Sequence, residues 1–298
     1  MRILLTGASG FIGTHLLQKL ILEGHQVLAF SRSARPKKNK YISWHQCDLS
    51  LQESYSKEVE DFLPEVLIHL AWQDIPDFSV EKSKANLDLS LDFLKCVLNL
   101  NCCKKILFSG SCLEYDLMDG MCKETSMVEG LVNDFAWAKN TLRIKSELLC
   151  REKSVNFIWF RIFYVYGPGQ RTDSLIPSIF KHLKLNNLPE IDSPNNANDY
   201  IYIDDVVEGF SIAITESISS GIYNLGTGRS TSVLEVCRIA EKIILNSSKL
   251  TFQLELKVQP KVSDVNFWAS MISTNQHLKF NPKVGLSYGI KKFWESYR

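Results

Sequence analysis

The chain has no apolar run of 18 or more residues, no CxxC pair and no Cys/His set at zinc spacing. The first absence argues against a membrane-spanning helix, the others against a zinc site or a thiol redox motif. The eight cysteines are scattered, and Cys102 and Cys103 are adjacent, a poor geometry for a bridge. Charge of one sign is also missing. Lys and Arg total 34 against 33 Asp and Glu, a formal net charge of +1, which makes no electrostatic case for nucleic acid or a membrane surface. The longest basic run, "RPKKNK" at 35–40, reads as a solvated loop. The opening "MRILLTGASG" lacks the charged start, apolar stretch and small-residue cleavage site of a signal peptide. A cytoplasmic chain with reduced cysteines is expected, in which the sequon "NSS" at Asn246 carries no meaning. No internal repeat is visible.

What is present is a strand–helix alternation. "RILLT", "QVLAF", "YISWH", "VLIHL", "KKILFSG" and "VNFIWFRIF" read as buried strands, separated by helical stretches such as Phe11–Gly24, Val80–Leu100 and Asn133–Glu152. Alternation of this kind predicts an α/β fold, a parallel sheet with helices on both faces. The 298 residues suit one α/β core plus a smaller lobe. After about Gly167 the rhythm loosens into Gly-, Pro- and Asn-rich loops. The expected division is 1–166 and 167–298, with segments near 199–226 returning to the first domain.

"TGASGFIG" places Gly7, Gly10 and Gly13 between a strand and a helix. A dinucleotide pyrophosphate needs a tight turn there, close backbone approach and close helix–strand packing. The second strand ends in "AFSRS", with Ser31 and Arg32 where an NAD site usually has a carboxylate for the ribose diol. An arginine can pair with a 2′-phosphate that a carboxylate would repel, so NADP(H) is expected over NAD(H). The competing reading makes Arg32 a solvated loop residue. Asp48, in "CDLS", is well placed to meet the adenine.

Taken in order, "TGASGFIG", "DL" at Asp48, "HLA" at His69–Ala71, Asn86, "FSGSCLEY", "RIFYVYGPGQ", "DYIYIDDVVEG", "YNLGTG" and the closing "STNQHLKFNPKVGLSYGIKKFWE" span nearly the whole chain. The sequence resembles the extended short-chain dehydrogenase/reductases, the family of NAD(P)-dependent nucleotide-sugar epimerases, dehydratases and ketoreductases. The resemblance implies a Rossmann-type doubly wound sheet with a smaller C-terminal substrate lobe. It also implies a nucleotide-sugar substrate and a homodimer formed through helices 80–100 and 133–152. By resemblance the cofactor meets Gly7, Ser9, Gly10, Phe11, Ile12 and Gly13 of the turn, Ser31 and Arg32, Asp48 and Leu49, Leu70 and Ala71, and Lys139. Ser111 matches the hydroxyl that bonds a sugar oxygen during hydride transfer. Lys139 matches the lysine that holds the nicotinamide ribose and lowers a neighbouring phenol's pKa. Asn86, Phe135, Arg161, Tyr164, Gly167, Arg171 and Lys261 fall on the substrate side. For Arg161 a buried structural ion pair is the plainer alternative, and Asp204 reads as the cap of the helix after "YIYI".

The departures are specific. The tyrosine of the family's YxxxK motif is Phe135, in "DFAWAKN". Of the ten tyrosines only Tyr288 has a lysine four residues on, Lys292, in the last helix and far beyond the motif. The asparagine of "NVYGP" is Tyr164, and Asn198 replaces an arginine that often precedes "D(F/Y)I", which puts the diphosphate contacts in question. Ser111 is followed by Cys112 and Leu113 rather than an acid pair, against an ordinary 4,6-dehydratase. Losing a general acid/base costs about 10²–10⁴-fold but leaves the binding scaffold. Three readings follow. The chain is an NADP(H)-dependent nucleotide-sugar epimerase or ketoreductase in which Tyr115, Cys112, Tyr164, Tyr166 or Glu114 moves the proton. Or it binds cofactor and nucleotide sugar without turnover, as a sensor or partner subunit. Or it reduces small aldehydes and ketones, which "YGPGQ" and the long second lobe disfavour. The first is the reading adopted.

Overall fold

The computed structural model describes residues 1–33, 40–115, 119–126, 133–257, 259 and 264–297. Seven strands form the main sheet: β1 (Arg2–Thr6), β2 (Gln26–Ser31), β3 (Ile42–Gln46), β4 (Val66–His69), β5 (Lys105–Ser111), β7 (Asn156–Ile162) and β11 (Gly221–Leu225). Their spatial order is β3-β2-β1-β4-β5-β7-β11, and every pair is parallel. Strands such as "VLIH" in β4 are buried along their whole length, as a sheet covered on both faces requires. The order turns back between β1 and β4, so the crevice at the carboxyl ends opens beside the Gly7–Gly10 turn, where such sheets place their ligands.

Helices α1 (Phe11–Leu22) and α6 (Ile203–Thr215) cover one face of the sheet, and α2 (Ser56–Phe62), α3 (Val80–Asn99) and α4 (Asp134–Glu152) the other. Leu16, Leu20, Val206 and Phe210 belong to the first apolar layer. Leu91, Leu94, Leu142 and Trp159 belong to the second. The Asn133 side chain accepts from Ala136 N at 2.9 Å. This N-cap pins the first turn of α4 and with it the position of Phe135.

The remaining elements build the smaller lobe. They are α5 (Leu175–Lys184), α7 (Val233–Leu245), α8 (Lys249–Glu255), α9 (Ile272–Leu278) and α10 (Leu286–Tyr297). A four-stranded sheet joins β12 (Thr231–Ser232), β9 (Ala197–Asn198), β13 (Asn266–Ala269) and β6 (Asp119–Cys122). Strand β10 (Tyr200–Tyr202) pairs with β8 (Tyr164–Tyr166) outside the main sheet, whereas β11 pairs with β7 within it. The expected cap at Asp204 is corrected. α6 begins at Ile203 behind Tyr202 with no side-chain cap. Asp204 lies in the first turn, where a carboxylate suits the helix dipole, and it takes Lys292 Nζ at 2.6 Å.

Candidate active site

The cofactor groove follows from the turn after β1. Gly7 adopts φ +67°, and a Cβ on it would lie 2.9 Å from Ala71 N, so the backbones approach as only glycine allows. A Cβ on Gly13 would run into the Gly7 carbonyl, which keeps α1 close under the turn. Ser9, Gly10, Ser31, Arg32, Leu49 and Ala71 line the groove, and Leu70 and Trp72 are also part of its wall. This cradle fits a dinucleotide: small residues where phosphate would press, and the start of a 12-residue helix behind them. Ser31 Oγ donates to Ser9 Oγ at 3.2 Å. The exposed Arg32 is anchored through its own carbonyl, which accepts from Gln46 Nε2 at 3.0 Å. Asp48 accepts from Ser50 N at 2.9 Å, and that bond holds its carboxyl below the usual range. Phe11 and Ile12 pack towards the core, with the Phe11 ring edge-on to His15 at 5.9 Å. His69 is buried between Thr6 Oγ1 (3.0 Å) and Ser90 Oγ (3.1 Å). Burial pushes its pKa down to about 3, so it is neutral.

Behind Trp72 of the groove wall, Phe135 and Lys139 lie one turn apart on the inner face of α4. Phe135 is buried against Phe78 at 4.7 Å and Trp72 at 5.4 Å between ring centroids. The Lys139 ammonium donates to Ser109 O at 2.9 Å and sits 3.9 Å from the Trp72 ring centroid. Burial in this apolar setting pulls its pKa down to about 7, while Glu114 opposes the shift. The sequence reading missed Trp72 and Phe78. Trp72 directly follows "HLA", and that adjacency was the available signal; Phe78 carried none.

Ser111 ends β5 and caps the short turn 112–114. Its Oγ accepts from Leu113 N at 3.2 Å, and its own N donates to Glu114 Oε1 at 2.7 Å. The same hydroxyl also hydrogen-bonds the Cys112 side chain. Glu114 is fully enclosed. It accepts from Trp159 Nε1 at 3.0 Å and from Arg161 Nε at 3.1 Å, and a Cβ on Gly110 would collide with both Trp159 and Glu114.

This packing engages several of the expected site residues within the chain. Arg161 is 1% exposed, bonded to Glu114 and stacked 4.4 Å above the Tyr115 ring. It is the buried ion pair rather than a substrate contact. Tyr115 donates its hydroxyl hydrogen to Asn224 Oδ1 at 2.7 Å, and burial raises its pKa further. Cys112 is buried in the same apolar cluster, which pushes its thiol pKa up. Neither is a ready proton carrier. Tyr166 is committed to Leu286 O and Glu114 to its ion pair. Asn86 uses its amide on its own chain, accepting from Gln73 N at 2.6 Å and donating to Gln73 O and Lys82 O. It clamps the loop that carries Trp72. Gly167 is required by φ +149° and by Ile203, which a Cβ would meet at 2.5 Å. Tyr164 is partly exposed beside Tyr200 and Phe267. Arg171 donates to Ile75 O at 2.6 Å on the surface. Lys261 lies outside the described residues.

The fold agrees with the comparisons. The model of the NAD dependent epimerase/dehydratase family matches residues 3–226, and the chain belongs to that family. It is 26% identical to a CDP-abequose synthase of Salmonella muenchen, covering 98% of this chain and 96% of that one. It is 25% identical to a UDP-glucuronate 4-epimerase of Thermodesulfobacterium geofontis, covering 97% and 94%. Among solved structures, the UDP-glucose 4-epimerase of Thermotoga maritima with UDP-glucose superposes with a TM-score of 0.84 at 23% identity, covering 100% and 98%. The UDP-glucuronic acid 4-epimerase of Bacillus cereus with NAD gives 0.81 at 21%, covering 99% and 98%.

Proposed function

We propose that the protein is an NADP(H)-dependent nucleotide-sugar epimerase or ketoreductase that works without a tyrosine at position 135. The observation that carries this reading is the survival of the site around the substitution. The glycine cradle, a serine at position 111 and the inward-facing Lys139 are all retained alongside Phe135. A nucleotide-sugar substrate is supported by family membership and by relatives named for CDP- and UDP-sugar chemistry. The cofactor supplies or accepts hydride at a sugar carbon. Ser111 would hold the sugar oxygen, Lys139 would hold the nicotinamide ribose, and the Trp72–Phe78–Phe135 cluster keeps bulk water from that end. Ser31 and Arg32 on the groove wall favour a 2′-phosphate, although the Bacillus cereus neighbour holds NAD.

A dimer through α3 and α4 is part of the reading. Ile144 and Leu148 stand 48% and 42% exposed on the outer face of α4, with half-buried Leu89 on α3. The test is proton NMR in deuterated water on a panel of UDP-, GDP-, CDP- and dTDP-sugars, including 4-keto-6-deoxy forms, with NADP⁺ or NADPH. A new sugar spin system is the expected result. A silent panel with cofactor bound would transfer the weight to a binding protein without turnover.

A further inference from the structure

We infer that Lys139 itself takes the place of the missing phenol and exchanges the proton with the sugar oxygen. This rests on the functional reading above and names the acid that it leaves open. The geometry supports the assignment by placement and by elimination. Lys139 lies one helical turn from Phe135 on the same face, and its ammonium sits directly behind Trp72, a wall of the groove. Its Nζ uses one hydrogen on Ser109 O. Its second contact is the face of Trp72, whose ring is a wall of the groove. Two N–H bonds therefore have no protein oxygen to bind among the described residues, and the half-buried Trp72 indole lies between them and the groove. The alternatives that the sequence offered are engaged elsewhere: Tyr115 on Asn224, Tyr166 on Leu286, Glu114 on Arg161, and Cys112 buried among apolar side chains. Tyr164 is not engaged in this way, and the test below includes it.

Few charges face the amine. Glu114, from the turn after β5, favours the ammonium but shares its charge with Arg161 of β7. His69 of β4 is neutral, and Arg143, further along α4, is only partly buried. Desolvation against the Trp72 and Phe135 rings prevails and brings the titration down to about 7, where a general acid and its conjugate base are both populated. In the reducing direction one N–H bond of the ammonium breaks as an O–H bond forms on the sugar oxygen. The carbonyl π pair becomes that bond, and the carbon takes hydride from the reduced nicotinamide. Lys139 is left as the neutral amine and regains its proton from water. Oxidation runs the same step backwards, with the amine as base.

The experiment has two arms. In the first, lysine is labelled with ¹³C and ¹⁵N, and the Lys139 side-chain signal, assigned by its loss in Lys139→Arg, is titrated in the wild-type protein. A midpoint of about 7 is expected, against about 10.4 for ordinary lysines; a midpoint above about 9 overturns the assignment. In the second arm, kcat for reduction of whichever sugar the panel identifies is followed against pH. Activity should fall above the same midpoint, because the acid must be protonated. Lys139→Arg keeps the charge but cannot release a proton in this range. It should bind cofactor yet lose about 10²–10⁴-fold in kcat together with the pH limb. Adding Phe135→Tyr should recover about tenfold or more of that loss. If instead Lys139→Arg keeps its kcat and its limb, or Tyr164→Phe removes them, the assignment fails while the functional reading stands. A silent panel sinks the functional reading, and this assignment with it. Should the arginine variant not fold, Lys139→Met provides the NMR assignment and the wild-type titration still decides.

Discussion

The two ends of the groove are built by different means. At the cofactor end, backbone geometry does most of the work: Gly7 and Gly13 are dictated by the carbonyl and amide they approach, and few side chains are committed. At the far end, side chains from five separate segments converge: Trp72, Phe78, Phe135 with Lys139, Glu114 and Arg161. A backbone requirement is met by one residue type and persists. A side-chain cluster can exchange a phenol for a phenyl and repack around the change. On that contrast the cradle is the more constrained of the two ends and the aromatic cluster the more tolerant of substitution.

The contrast can be tested hardest at Glu114. Removing its carboxylate leaves Arg161 buried and unpaired, so Glu114→Ala should cost about 3–5 kcal/mol in urea unfolding. A loss within about 0.5 kcal/mol would mean that the far end is not held together as described. At the near end, Gly13→Val should abolish cofactor binding by about a hundredfold or more, because the turn and α1 must separate. Calorimetric titration with NADPH checks this, and unchanged affinity would remove the backbone argument. His69 supplies a pH signature between the two ends. Its folded pKa of about 3 lies below the unfolded value, so only the unfolded chain binds the proton as pH falls from about 6.5. Stability should therefore drop by about 1.4 kcal/mol per pH unit there, and His69→Gln should flatten that slope. Arg32→Ala should reduce the preference for NADPH over NADH by about tenfold, near 1.4 kcal/mol; equal affinities in the wild type would sink the 2′-phosphate assignment. The smallest effect is expected at Trp72→Ala, about 0.5–2 kcal/mol of lost ring contact. Hydrating Lys139 should carry its titration midpoint upward, and an unmoved midpoint would show that desolvation is not its cause.

How far this was readable from sequence depends on the range of the interaction. The glycine turn, the buried strands and the pairing of Phe135 with Lys139 were legible because each is set by neighbours within a few residues. α3 and α4 were placed to within one residue of their observed ends. Arg161 was not legible as a partner of Glu114, since 47 residues separate them and only the β5–β7 register brings them together. The substrate-side resemblance of "RIFYVYGP" pointed Arg161 outward, and burial turned it inward. The burial of Tyr115 and Cys112 was hidden for the same reason: Asn224, the partner of Tyr115, is distant in sequence, and a capping turn encloses the Ser111 loop. The cap expected at Asp204 falls two positions earlier, at Tyr202, a common error where a helix starts without a side-chain cap.

Gly110 carries a consequence for descent rather than for chemistry. Its missing side chain is the space that the Glu114 carboxylate and the Trp159 indole share beneath β5. A larger residue at 110 is admissible only once 114 and 159 have shrunk, and shrinking 114 first strands the Arg161 charge. The three positions form an epistatic lock. A single step away from this arrangement should therefore pass through a destabilised intermediate, by about 3–5 kcal/mol where the Arg161 charge is stranded.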